Sequence, residues 1–303
     1  MSKKLLLGII VILLVTNIAT LLVWNQGGQV DVGTGEHKKY KLNEAAATVN
    51  GEEISFQMWQ EALRNTYGEE QLKSMIDQKL VKQLADEKDI SISDKVVERE
   101  ISMLLAMQGI ISKPEYEHLE AEWENDIRYR YQLEMLLTED VSVSDEKIKE
   151  HYDTYGEQYN FTSSMQISHI LVKDSETAEK VYHELDDGAS FNLLAQEYSM
   201  DKETKDEGGY LGYISTESQY FPKDYENIAA DMVEFSYSQP FEVDEGVAII
   251  YLHRKLPSIT FTYEEMKPYI KSELALHQKN QTLEADPLWK NQDIEWIYSS
   301  TDP

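Results

Sequence analysis

The sequence predicts an α+β chain. A mainly helical body holds a compact strand-and-helix segment, and one transmembrane helix precedes both. Three observations carry this. An uncharged apolar run from Leu5 to Trp24 follows Lys3 and Lys4. Apolar residues at helical spacing fill most of residues 55–140 and return from Met266 to Leu274. Between those stretches, residues 166–252 hold β-rich runs, short helices and a glycine turn.

The apolar run comes first. Twenty helical residues span ~30 Å, one bilayer core. The two lysines stay inside by the positive-inside rule, so the body is expected to be extracytoplasmic, held to the cell membrane by a single pass. A cleaved signal peptide is the rival. Its apolar core would be about 7–15 residues with a small-residue site close behind. Here the run is longer, and Ala45–Ala47 lies far downstream. Residues 25–44, with four glycines, read as a flexible linker.

Thr48–Ile54 (TVNGEEI) carries an Asn-Gly turn between β-prone arms, a hairpin signal. Ser55 is placed to cap a helix whose Phe56, Trp59, Leu63 and Tyr67 share a face, with Gly68 as its end. A second helical period runs from Leu72 to Leu84. Ser-acid starts at Ile90–Asp94 and Val141–Asp145 mark two further helix N-termini. Between them Pro114 fits a first turn, and Tyr116, Leu119, Trp123, Ile127 and Tyr131 form one stripe. All these stripes read as helical core. Thr262–Glu265 (TYEE) is a capping box before a last amphipathic helix. Asp293–Tyr298 (DIEWIY) reads as a final strand.

The bulk numbers exclude several functions. Lys+Arg is 28 against Asp+Glu 56, a net charge of -28. Nucleic acid is not an expected partner, because phosphate binding needs clustered cations. No cysteine is present, which removes disulfides and thiolate catalysis. His151, His183 and His277 lack metal-ligand spacing, so no metal or other cofactor is expected.

Within 166–252, Gln166–Val172 (QISHILV) is a strand with one histidine, and Ser190–Asp201 (SFNLLAQEYSMD) is a capped helix ending in a polar turn. Gly208–Tyr213 (GGYLGY) is a glycine turn entering a strand, and Val247–Leu252 (VAIIYL) closes the set. This ordered set, over about residues 161–256, resembles the parvulin-type peptidyl-prolyl cis/trans isomerases. The resemblance implies a small antiparallel sheet with flanking helices, and proline isomerisation as the activity. The outer layout, with VNGEEI before a helix and a helix returning after the insert, resembles PrsA-like foldases and SurA-like chaperones. The helical domain is then divided into residues 45–160 and 257–303.

What the family implies for residues follows position by position. His169 matches the first-strand histidine of a hydrogen-bond network beneath the substrate amide. Asp201 matches a cysteine or aspartate near the substrate carbonyl. Leu211, Phe221 and Tyr225 match the pocket that grips proline; packing of the next helix on the sheet explains the last two equally well. Two positions depart. Tyr210 replaces the aspartate of the usual GGDLG. Ala248 stands where the closing strand usually carries a second histidine. His253, five residues on, falls on the opposite face of a strand and does not replace it. The basic loop that captures phosphate in some parvulins is also missing, since Lys173-Asp174-Ser175-Glu176 follows the first strand.

The resulting expectation is a membrane-anchored isomerase or foldase that acts on unfolded or newly exported chains with X–Pro bonds. Ala248 keeps a second reading open, a catalytically weak chaperone. A third is a membrane-tethered scaffold, which would leave an apolar patch exposed.

Overall fold

The computed structural model describes residues 29–32, 38–41, 44–218, 224–290 and 292–298. The run Leu5–Trp24 and Phe221 lie outside these. Among the described residues, no helix is long and apolar enough to cross a membrane. The chain divides into two compact units, residues 1–77 with 293–303, and residues 78–292.

In the first unit, β1 (Gln29–Val32) pairs antiparallel with β2 (Lys38–Lys41), and β3 (Ala45–Val49) with β4 (Glu52–Ser55). Asn50 and Gly51 close the second hairpin with φ of 51° and 89°, the left-handed pair that an Asn-Gly turn supplies. The Met58 N–H donates to Ser55 Oγ at 3.2 Å, so Ser55 caps α1 (Phe56–Glu87) as expected.

Three expectations fail here. α1 does not end at Gly68 but runs through it. A Cβ at Gly68 would lie 2.7 Å from the Tyr298 hydroxyl, so this glycine makes room for a tyrosine rather than stopping a helix. Asp293–Tyr298 forms no strand. A strand needs a partner edge, and this segment instead sets the Trp296 and Tyr298 rings edge to face at 5.7 Å. The stripe on α1 also differs from core. Phe56 is buried, but Trp59, Leu63 and Tyr67 are exposed, with Met58 beside them.

The second unit takes in the end of α1 and then three helices: α2 (Asp94–Ala106), α3 (Lys113–Thr138) and α4 (Asp145–Tyr155). Ser112 and Ser144 each accept a backbone N–H of the first turn. The sheet segment follows: β5 (Ser164–Val172), α5 (Ser175–Asp186), α6 (Phe191–Tyr198), β6 (Tyr210–Ser215), α7 (Tyr225–Asp231), β7 (Ser236–Tyr237), β8 (Phe241–Val243) and β9 (Gly246–Leu256). Finally α8 (Tyr263–Lys279) starts at Thr262, whose capping box with Glu265 is complete. α8 returns to the helices before the sheet: its Met266, Tyr269 and Ile270 share one buried core with Val97 and Ile101 of α2, Ile127 of α3 and Ile148 of α4.

The sheet is antiparallel, in the order β6–β5–β9–β7 with β8 also on β9. Strand side chains alternate faces, and the two faces have separate cores. Ile170, Val172, Val247 and Ile249 pack with α5 and α6. Ile167, Ala248, Ile250 and Leu252 pack with Tyr225 and Ala229 of α7. Gly209 (φ 77°) lets β6 start hard against β5. A Cβ there would sit 1.9 Å from the His169 carbonyl oxygen, while the His169 N–H donates to the Gly209 carbonyl at 2.8 Å.

Candidate active site

His169 is the sixth residue of β5 and points to the α7 face. Its imidazole is buried yet lies on the wall of a half-open cavity of about 360 Å³. Leu171, Asp201, Asp224, Tyr225, Val243, Asp244 and Glu245 complete the lining. Both ring nitrogens are engaged. Nε2 is 2.8 Å from Asp201 Oδ2, and Nδ1 is 2.8 Å from the Tyr225 hydroxyl. Thr204 Oγ1 donates to the same Asp201 oxygen at 2.6 Å, and the Glu203 N–H donates to the other at 3.0 Å.

The electrostatics assign the protons. Burial works to raise the Asp201 carboxyl, but hydrogen bonds from Thr204 and His169 outweigh it and hold the group below the ordinary carboxylate range. A carboxylate accepts, so the His169 Nε2–H donates to Asp201. Burial, then the charges of Glu245 and Asp201, push the Tyr225 phenol upward. It stays protonated, with its hydroxyl 2.8 Å from Nδ1.

Of the five residues singled out from the sequence, the structure brings His169, Asp201 and Tyr225 into one network. Leu211 does not line the cavity; it packs half-buried on the cluster that includes Tyr225 and Ala248. Thr204 was not singled out. Its signal was local, a hydroxyl three residues after Asp201, where it reaches the carboxylate within one turn. The Val243–Gly246 hairpin, whose Asp244 and Glu245 overhang the cavity, had no signal beyond its charge.

Ala248 is fully buried on the His169 face. His253 lies on the other face, as strand alternation requires. Its Nε2 is 2.8 Å from Ser168 Oγ, with the Tyr251 ring at 4.7 Å. Burial lowers its pKa to about 4, so it is neutral. Tyr210, in the place of the family's aspartate, accepts a hydrogen bond from Gln166 Nε2 at 2.8 Å; the same amide donates to the Gly109 carbonyl, ahead of α3. Asp174, where a phosphate-binding loop would be basic, instead caps α5 through the Thr177 N–H at 2.9 Å.

A buried imidazole held from both sides, beside apolar walls, suits binding and polarisation of an uncharged group. The "Rotamase: PPIC-type PPIASE domain" family matches residues 169–254, from His169 into the last strand, β9. YacD of Bacillus subtilis (strain 168), whose name assigns it provisionally to the peptidyl-prolyl cis-trans isomerases, is 36% identical over 256 residues, 84% of this chain and 86% of its own. The chain belongs to the PrsA-like, parvulin-type peptidyl-prolyl isomerase family. "Foldase protein PrsA" of Geobacillus kaustophilus (strain HTA426) is 30% identical over 74% of this chain and 79% of its own. Among solved structures, PrsA from Bacillus cereus aligns over 85% of this chain and 95% of its own, at 25% identity and a TM-score of 0.32.

Proposed function

We propose that this protein is an extracytoplasmic prolyl isomerase and foldase, anchored by residues 5–24, that acts on newly exported chains. The observation that carries the site assignment is the His169 network on the wall of the cavity. An X–Pro bond rotates over a barrier of ~18–20 kcal/mol set by amide resonance. Catalysis needs tighter binding of the twisted amide than of either planar form. In this reading His169, fixed by Asp201 and Tyr225, presents a constant polar wall beneath the amide, and Asp201 lies near its carbonyl. The Tyr225 ring lines the cavity that takes the proline, and Leu211 supports it from the packed cluster behind. Nothing is transferred covalently, so neither a metal nor a nucleophile is called on.

A protease-free assay of an Ala-Xaa-Pro-Phe peptide tests the reading. Catalysed isomerisation that falls in His169→Ala supports it; an uncatalysed rate with the intact protein overturns it. The anchor is tested separately. Protease added outside intact cells should cleave the body, and a purified chain that begins after residue 24 would contradict retention.

The exposed Trp59, Leu63 and Tyr67 on α1 favour a second activity, holding unfolded chains. Suppression of client aggregation that survives His169→Ala but is lost on changing these three to serine would support it.

A further inference from the structure

We propose that Tyr225 is a positioning residue that fixes the tautomer and orientation of His169 by donating its hydroxyl proton to Nδ1. The sequence offers Tyr225 as a wall of the proline pocket, a role its ring alone would fill. The structure gives the oxygen a separate task. The hydroxyl is 2.8 Å from Nδ1, and the residue is only 3% exposed, so water has little access to replace it.

An imidazole on a strand has two near-equivalent ring orientations and two neutral tautomers. Asp201 takes the Nε2 proton and so constrains one nitrogen. It does not by itself hold the ring, because Thr204 Oγ1 also stands 3.3 Å from Nε2 and offers a competing partner. With Nδ1 bonded as well, rotation of the ring breaks two hydrogen bonds at once. On the strand beside it, Ala248 offers no polar atom to this nitrogen. The Tyr225 ring packs edge to face with Phe241 at 5.3 Å, which fixes where the oxygen sits. α7 thereby clamps the imidazole on β5 from across the cavity.

Tyr225→Phe isolates the oxygen, since the ring and its contact with Phe241 remain. The full-length protein is labelled with 15N-histidine, and the imidazole nitrogens are read by long-range proton–nitrogen correlation at pH 7. The intact protein is expected to show His169 as a single Nε2–H form. Tyr225→Phe is expected to show averaging between tautomers, and kcat should fall about tenfold with KM changed less than twofold, because a donor that preorganises the site is lost while the pocket is kept. Tyr225→Ala supplies a contrast: it should raise KM as well. An unchanged Nε2–H signature together with unchanged kcat in Tyr225→Phe would overturn the proposal. The rate arm rests on the isomerase reading, but the tautomer arm does not. A protein without isomerase activity whose imidazole still loses its fixed form in Tyr225→Phe would defeat that reading and leave the clamp standing.

Discussion

Two buried histidines sit on adjacent strands of one sheet and do opposite things. His169 opens onto a cavity and is bonded on both nitrogens by Asp201 and Tyr225. His253 is sealed on the other face among aromatic rings, with Ser168 at 2.8 Å from its Nε2 and, among the described residues, no carboxylate bonded to the ring. Burial is nearly identical, 7% exposure for each. Partners therefore decide the role, and strand parity decides the partners. A carboxylate beside one ring makes a polar wall; its lack beside the other leaves a neutral packing residue pushed down to about 4.

The harshest test of this contrast removes the helical body and leaves the sheet that holds both rings. Deleting residues 258–303 takes away α8, whose Met266, Tyr269 and Ile270 complete the core of α2–α4. The helical part is expected to lose cooperative unfolding. Residues 161–256 alone are expected to fold, because both sheet faces bring their own cores. In that fragment both histidine environments should persist, seen as native-like imidazole shifts. A helical part that melts unchanged without the tail, or a fragment without dispersed signals, breaks the picture of two separate cores.

Next in size is the effect on rate. His169→Ala removes the wall beneath the reacting amide and is expected to lower kcat/KM about 10- to 1000-fold. His253→Gln keeps an acceptor for Ser168 and should stay within about threefold of the intact protein. Equal losses in the two variants would mean that the faces are not functionally distinct.

The parity that separates the two histidines was legible beforehand, because strand alternation needs only the sequence. So were the Asn50-Gly51 turn, the Thr262–Glu265 box and the Ser55 cap, each set by a few neighbouring residues. What failed depended on distant residues. Gly68 reads as a stop until Tyr298 is seen against it. Asp293–Tyr298 reads as a strand by composition, yet composition cannot supply the partner edge. The α1 stripe has core periodicity, but periodicity does not say whether anything covers it. In the site, His169 and Asp201 came from the resemblance, 32 residues apart. The hydroxyl bond from Tyr225 could not, since only the packing of α7 on the sheet brings that oxygen to Nδ1.

A third test separates the histidines by pH. His253 has a native pKa of about 4 against an ordinary 6.5. Between these values the unfolded chain binds the extra proton, so unfolding becomes easier as pH falls. Its contribution is complete above pH 6.5 and is lost on the way down to 4, at up to about 3 kcal/mol. Asp201 also has a lowered pKa, but its stabilisation is lost only below the ordinary carboxylate range, where the proton displaces its bonds. Denaturant unfolding from pH 7 to 4.5 should therefore flatten in His253→Gln and keep its slope in Asp201→Asn. Slopes that respond the other way round would reverse the assignment of the two faces.

The smallest expected effect concerns the open face alone. The cavity beside His169 is lined by Asp201, Asp224, Asp244 and Glu245, and among the described residues no lysine or arginine lines it. The loop after β5 adds no phosphate clamp, since Asp174 is spent on capping α5. A phosphate beside the proline meets like charge without a donor fork. Phospho-Ser-Pro peptides should therefore turn over about two- to tenfold more slowly than their unmodified twins at low salt, with the gap closing as salt screens the charges. The whole chain is acidic, at -28, so its overall field would give the same order. Glu245→Gln with Asp244→Asn decides between the two sources. These are two charges among many, yet they sit at the cavity, so a local cause predicts that the gap narrows sharply. A gap that persists would assign the discrimination to the chain's net charge, and a faster phosphopeptide would remove the acidic rim from the account altogether.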